Sequence, residues 1–163
     1  MRIMPSSHSM LFGLLLVAFI IVFEILLAYL KLPAWPAFMV MIFFFVAHED
    51  TNQITPILIG GLAGILCVIL IREFIAVLKP AIGVDPAKLI FIGLFVYAIV
   101  LFKDALPAIF NSYAFMFFLV GSLAAKMHGT NPFVWMAVEF IVGGIFIVGI
   151  LGINKIVGAV LKT

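Results

Sequence analysis

Two glutamates stand inside long apolar runs, where an ionisable side chain is costly and therefore a candidate for function. Glu139 is the seventh residue of a run that starts at Phe133, about 10 Å along it if the run is helical. We predict that Glu139 is buried and faces the helix bundle, where it is either neutral or exchanges protons. Glu24 is the fifteenth residue of the run 10–30. It could face a pore, bind a proton or cation, or pair with a lysine, or it could lie near the headgroups with Lys31 two turns on.

Two pairs of phenylalanines could narrow a path through the membrane. Phe43 and Phe44 form one pair, and Phe117 and Phe118 form the other. Stacked aromatic constrictions of this kind act as hydrophobic gates in channels. Ordinary packing or lipid contact is the alternative interpretation, in a chain that contains 18 phenylalanines.

A short polar run interrupts the fifth apolar segment. It consists of Asn111, Ser112 and Tyr113. These side chains could hydrogen-bond a solute that crosses the membrane. Alternatively, they could bond between helices, as polar residues in membrane bundles routinely do.

Chemistry other than transport has little support in the sequence. Cys67 is the single cysteine, so an internal disulfide or a cysteine metal cluster is excluded. His48, Glu49 and Asp50 are ligand types, but three adjacent residues cannot share one helical face. No Walker sequence or glycine-rich phosphate loop occurs, and the apolar runs contain no Ser/His pair, HExxH or paired aspartates. We therefore expect no enzyme activity, no metal and no cofactor.

The composition indicates the environment in which these residues must work. Of the 163 residues, 67% are hydrophobic and 10% are charged, whereas a soluble domain carries roughly 25% charged residues. A chain this apolar excludes both a soluble globular domain and a disordered chain. The net charge of +2 is too small to indicate nucleic-acid binding. The sequence thus predicts an integral membrane protein in contact with the lipid bilayer.

Six apolar segments fit the chain, which predicts an all-α polytopic membrane helix bundle of about six spans in a single transmembrane domain, 1–163. The predicted helices cover residues 10–30, 34–47, 55–71 with a continuation to 80, 85–102, 106–125 and 131–153. The second segment is only about 21 Å long as a helix, which is short of the roughly 30 Å hydrocarbon core.

An internal repeat is suggested by matches at an offset of 74 positions. Residues 32–47 and 106–121 share six identities, which are a Leu-Pro-Ala start, a Phe pair and a valine. Apolar sequences also match by chance. A 3+3 inverted repeat would consist of repeat one at about 9–80 and repeat two at about 84–160. Transporter sites are often built from two interrupted segments at matching places in such repeats. Segments two and five fit that description.

Four short motifs carry a resemblance to a known family. They are LPAWPAF at 32–38, FFF at 43–45, PAIF at 107–110 and FF at 117–118. With these motifs the chain resembles the DUF1097 family of small bacterial inner-membrane proteins of unknown function, although Pro36 and the acidic loop 48–50 depart from the family's pattern. The resemblance implies a multi-pass protein of the bacterial inner (cytoplasmic) membrane. It transfers no catalytic residues.

The cations do not fix the membrane orientation. On the six-span prediction they divide four against five, which gives almost no positive-inside bias. One side would hold Arg2, Lys103, Lys155 and Lys162, and the other Lys31, Arg72, Lys79, Lys88 and Lys126.

Three functions remain open from the sequence. The first is a channel or facilitator for a small solute, whose identity the sequence does not give. The second is a proton- or ion-coupled small transporter that uses Glu139. The third is a non-transporting membrane subunit of a larger complex. We also expect the chain to form a homo-oligomer.

Overall fold

The computed structural model describes residues 6–127 and 131–161, and this part of the chain is all-helical with no strand. Six helices follow one another: α1 Ser7–Tyr29, α2 Trp35–Val46, α3 Ile54–Ile82, α4 Val84–Phe102, α5 Ser112–Ala124 and α6 Pro132–Val160. A 3-10 turn, Thr51–Gln53, leads into α3. Within α6, a π-helical turn at Val138–Val142 separates two α-helical stretches.

Four of the described helices, α1, α3, α4 and α6, are long and apolar enough to cross a membrane. The other two, α2 and α5, have 12 and 13 residues, or about 18 and 20 Å. The four apolar helices suggest a membrane protein, and the predicted all-α bundle is confirmed. Six complete spans stay a prediction.

Capping residues fix where several helices begin. Side-chain oxygens of Ser6, Asn111 and Asn131 accept bonds from backbone N–H groups in the first turns of α1, α5 and α6, which satisfies donors that would otherwise be unpaired. The predicted start at Asn131-Pro132 is confirmed. The predicted start of the fifth helix near Pro107 is wrong by five residues, because the chain turns before Asn111 and the helix begins only at Ser112.

The helix directions follow from contacts at both ends of each pair. Asn111 bonds to Pro56 and Arg72 bonds to Ala125, so α5 runs parallel to α3. Helix α2 likewise runs parallel to α6. Trp35 at the start of α2 contacts Trp135 near the start of α6, and Glu49, just after α2, accepts a hydrogen bond from Asn154 near the end of α6. The two long helices α3 and α6 are antiparallel to each other and pack together at the centre.

The outer helices are added to this central group of four. Helix α1 packs on α6 through Phe19 and Phe23, which contact Phe146, and α4 packs on α3 through a contact between Phe91 and Phe74. Both outer helices leave apolar faces exposed; in α1 only Leu27 is buried. These faces are suited to contact with lipid.

The described cations lie at the two ends of the bundle. We call the end at which α3 begins the first end, and the opposite one the second end. Lys103 and Lys155 belong to the first end, whereas the second end holds Lys31, Arg72, Lys79, Lys88 and Lys126. Arg2 and Lys162, which are predicted to lie on the same side as Lys103 and Lys155, are outside the described residues.

Candidate functional site between α2, α3, α5 and α6

Glu139 is the one charged residue that is buried within the described part of the chain, with no solvent exposure. Neither of its carboxyl oxygens has a hydrogen-bond partner among the described residues. It lies in the π turn Val138–Val142 of α6, and single π turns inside α-helices often occur at functional sites. A buried polar group without a partner is unfavourable, so the Glu139 carboxyl does not stabilise the fold at this position and is a candidate for a functional role.

Gly61 of α3 faces both the Glu139 side chain and Phe117 of α5. A Cβ atom placed on Gly61 of α3 would overlap the Glu139 carboxyl and would lie 2.9 Å from a ring carbon of Phe117 on α5. The missing side chain of Gly61 therefore provides the space that the carboxyl occupies. Neither Gly61 nor Phe117 can ionise, so neither offers the carboxyl a charge partner.

Aromatic side chains close the bundle towards the first end. The rings of Phe43 on α2 and Phe117 on α5 meet edge to face, with centroids 5.6 Å apart. Tyr113 packs against the same Phe43 ring at 5.2 Å. The short helices α2 and α5 are thus joined directly by aromatic contacts at the level where the sequence predicted a constriction.

A second aromatic group closes the bundle towards the second end. Trp35 of α2 and Trp135 of α6 meet edge to face at 5.3 Å, and Trp35 also lies 6.4 Å from Phe117. Trp135 precedes Glu139 by about one helical turn. We call the Phe43–Phe117 contact and the Trp35–Trp135 contact the two aromatic layers.

Asn111 has its hydrogen-bonding capacity filled by the protein. Its amide nitrogen lies 3.0 Å from the Pro56 carbonyl oxygen of α3, 2.9 Å from that of Pro107 and 3.1 Å from that of Ala108. Its side-chain oxygen accepts from the backbone N–H of Ala114 at 2.9 Å. These bonds cap α5 and attach it to α3, which matches the interhelical alternative weighed for this residue.

Further polar side chains form hydrogen bonds at the first end of the bundle. The Tyr113 hydroxyl donates to Gln53 Oε1 at 3.3 Å. Asn154 of α6 donates to Glu49 in the turn after α2. The sequence did not lead us to predict Gln53, Glu49 or Asn154 as site residues. Asn154 is the one with a usable signal, because it is an amide side chain inside an apolar run.

The predicted pathway residues do not all come together. The structure groups Phe43, Tyr113, Phe117 and Glu139, with Asn111 beside them and Phe44 fully buried in the adjoining core. The remaining three point elsewhere: Phe118 packs against Phe91 and Phe95 of α4, Ser112 is exposed, and Glu24 is exposed on α1.

The group is closely packed in this arrangement. Four cavities of about 360 to 550 Å³ lie along the described part of the chain. Glu139, Phe43 and Phe117 line none of these four, and of the predicted pathway residues only Phe118 lines one. A path past Glu139 would therefore require the aromatic layers to separate.

The described residues also contain no cluster of three metal-ligating side chains.

Comparison with protein-family models, curated proteins and solved structures gives no match for this chain. Membership of the DUF1097 family therefore stays a prediction.

Proposed function

We propose that the chain transports a small solute across a bacterial inner membrane and that Glu139 couples this transport to protons. The observation that carries the proposal is the fully buried Glu139 carboxyl without a hydrogen-bond partner. Ionisable residues within membrane bundles mark proton relays and ion pathways. Because an unpaired buried charge is strongly unfavourable, the closed packing holds the protonated carboxyl, and release of the proton requires access to water.

The aromatic layers support a path that opens and closes. Phe43 meets Phe117 towards the first end of the bundle, and Trp35 meets Trp135 towards the second end. Separating one layer at a time would expose the carboxyl to each side in turn. This is the minimum that alternating access requires of a central site.

The helix contacts support the inverted repeat on which the proposal draws. Helix lengths follow a long–short–long order twice. The contacts between helices follow the same correspondence. Helix α3 packs with α5 and α4, and its counterpart α6 packs with α2 and α1, the counterparts of α5 and α4. Two three-helix halves related in this manner are a frequent plan of transporters.

A passive channel is the second candidate, and the Phe43–Phe117 contact favours it. Apolar constrictions can gate a pore by excluding water. In such a channel Glu139 would not need to change its protonation state. Self-association and the identity of the solute stay predictions for either candidate.

Proteoliposomes containing the purified chain separate these candidates. Stopped-flow light scattering would follow urea, glycerol, acetate and ammonium as probe solutes, and pyranine in the lumen would report proton movement. Under the coupled proposal, one of these solutes moves with protons, and Glu139→Gln lowers the coupled flux by at least about 100-fold, the loss typical of a removed proton-transfer group.

Glu24→Gln is the matched control, because it makes the same chemical change on the exposed face of α1 and should leave the flux unchanged. A channel would give solute flux that neither substitution nor a pH gradient alters. If no probe moves protons in the wild-type protein, the coupled proposal is wrong.

A further inference from the structure

A separate cavity of about 360 Å³ lies at the second end, between α3, α4 and α5. Three cations line it, each from a different part of the fold: Arg72 from α3, Lys88 from α4 and Lys126 just after α5. No carboxylate is among the described residues that line this cavity. Glu73, the acidic neighbour of Arg72, lines another cavity together with Phe74 and Leu70.

Hydrogen-bond donors in this cavity are left for a ligand. Arg72 donates one bond, from Nη2 to the Ala125 carbonyl oxygen at 3.4 Å, whereas a guanidinium has five N–H donors. The Ser122 hydroxyl also lines the cavity, and its buried oxygen has no hydrogen-bond partner in the part of the chain that the structure describes. The cavity therefore combines positive charge with an unused hydroxyl.

The rest of the cavity wall is apolar. It consists of Val68, Ile71, Ile75, Ile92, Phe118, Leu119, Leu123 and Ala125. The cations thus lie beside an apolar surface between three helices. This combination fits an anionic amphiphile better than a free anion, since a free anion gains nothing from the apolar wall.

We propose that this cavity binds an anionic phospholipid, with its phosphate between Arg72, Lys88 and Lys126. The Ser122 hydroxyl supplies a further donor, and the acyl chains lie along the apolar wall. Basic pockets between transmembrane helices bind acidic lipid headgroups in other membrane proteins. The inference does not depend on transport, because none of these four residues contacts the group around Glu139.

Native mass spectrometry of the full chain, released from nanodiscs of mixed phosphatidylglycerol and phosphatidylcholine, tests the proposal. We expect the wild-type protein to retain phosphatidylglycerol in preference to phosphatidylcholine. The double variant Lys88→Gln/Lys126→Gln should bind it about 10- to 30-fold more weakly, from the usual contribution of a cation near an anionic lipid. Ser122→Ala should weaken binding about 5-fold, as expected for one lost hydrogen bond.

The matched control is Lys31→Gln/Lys79→Gln, which removes two positive charges from the same end without touching the cavity. It should retain the wild-type preference. If the cavity double variant fails to fold, Lys126→Gln alone repeats the comparison against Lys79→Gln.

Three results would overturn the proposal. Equal weakening in the control would indicate general surface attraction. Equal retention of both lipids by the wild-type protein would indicate an apolar crevice only. Displacement of phosphatidylglycerol by millimolar inorganic phosphate would indicate a free-anion site instead of a lipid site.

Discussion

The α3–α5 pair and the α6–α2 pair have the same arrangement, a long central helix parallel to a short one, but they are packed with different side chains. In α3–α5, Gly64 of α3 allows the backbones to approach, since a Cβ on Gly64 would overlap the Ala114 carbonyl oxygen and lie 2.8 Å from Phe117 Cβ. In α6–α2, Gly143 faces the Val40 side chain, and aromatic rings fill much of the remaining contact.

This difference shows that a parallel pair of one long and one short helix can pack through backbone contact or through side-chain contact. The two kinds of contact should tolerate substitutions to different extents. A Cβ on Gly143 would lie 2.7 Å from Val40 Cγ2, a smaller overlap than the one with the Ala114 carbonyl oxygen, which cannot move without its helix. We therefore expect the α3–α5 contact to be the more rigid and the more sensitive of the two.

The largest effect is expected for Gly64→Ala. The added methyl group must push α5 away from α3, which should lower the free energy of unfolding by about 3 kcal/mol, the upper range for overpacking. Unfolding in mixed micelles followed by circular dichroism would measure it. Gly144→Ala is the control, since open space surrounds that position; it should be neutral or stabilising by up to about 1 kcal/mol because alanine favours helix. Equal losses in both variants would contradict the comparison.

An intermediate effect is expected for the polar attachments of the two pairs. Asn111→Ala removes the cap of α5 and its bond to α3, which should cost about 2 kcal/mol. Asn154→Ala removes one bond to Glu49 in the α6–α2 half and should cost about 1 kcal/mol. The same unfolding measurement compares them. A larger loss for Asn154→Ala would reverse the proposed order of the two pairs.

The smallest effect is expected for Gly143→Ala. Its methyl group would lie 2.9 Å from Val40 Cβ, and a modest shift of α2 should limit the cost to about 1 kcal/mol. Val40→Ala provides the space, so the double variant should show a favourable coupling of about 0.5 kcal/mol or more relative to the two single variants. Strict additivity in this cycle would show that Val40 is not the residue that opposes the substitution.

The number and order of the helices were predictable from the sequence, because each apolar run forms one helix in the described part of the chain. Helix ends were predictable where a local signal dominates, as at Asn131-Pro132. The predicted start of the fifth helix at Pro107 is wrong because Asn111 provides the cap. Asparagine is a preferred N-cap residue, so Asn111 is the local sequence signal for this start.

The composition of the site was less predictable than the helices. Position along an apolar run gives the depth of a residue but not the face on which it lies. Glu139 and Glu24 were both selected by depth, yet one is buried and the other is exposed. The opposition of Gly61 to Glu139 depends on how α3 and α6 pack, and the π turn that holds the carboxyl has no recognisable sequence signal.

The link between α3 and α4 has a mechanical consequence. Gly83 is the single residue between these helices, and its φ of 86° is a conformation that side-chain-bearing residues rarely adopt. Consecutive Cα atoms are about 3.8 Å apart, so a one-residue connection makes the start of α4 follow any displacement of the second end of α3. Because α3 and α4 both line the cavity of Arg72 and Lys88, a molecule bound there would contact two helices whose ends cannot separate.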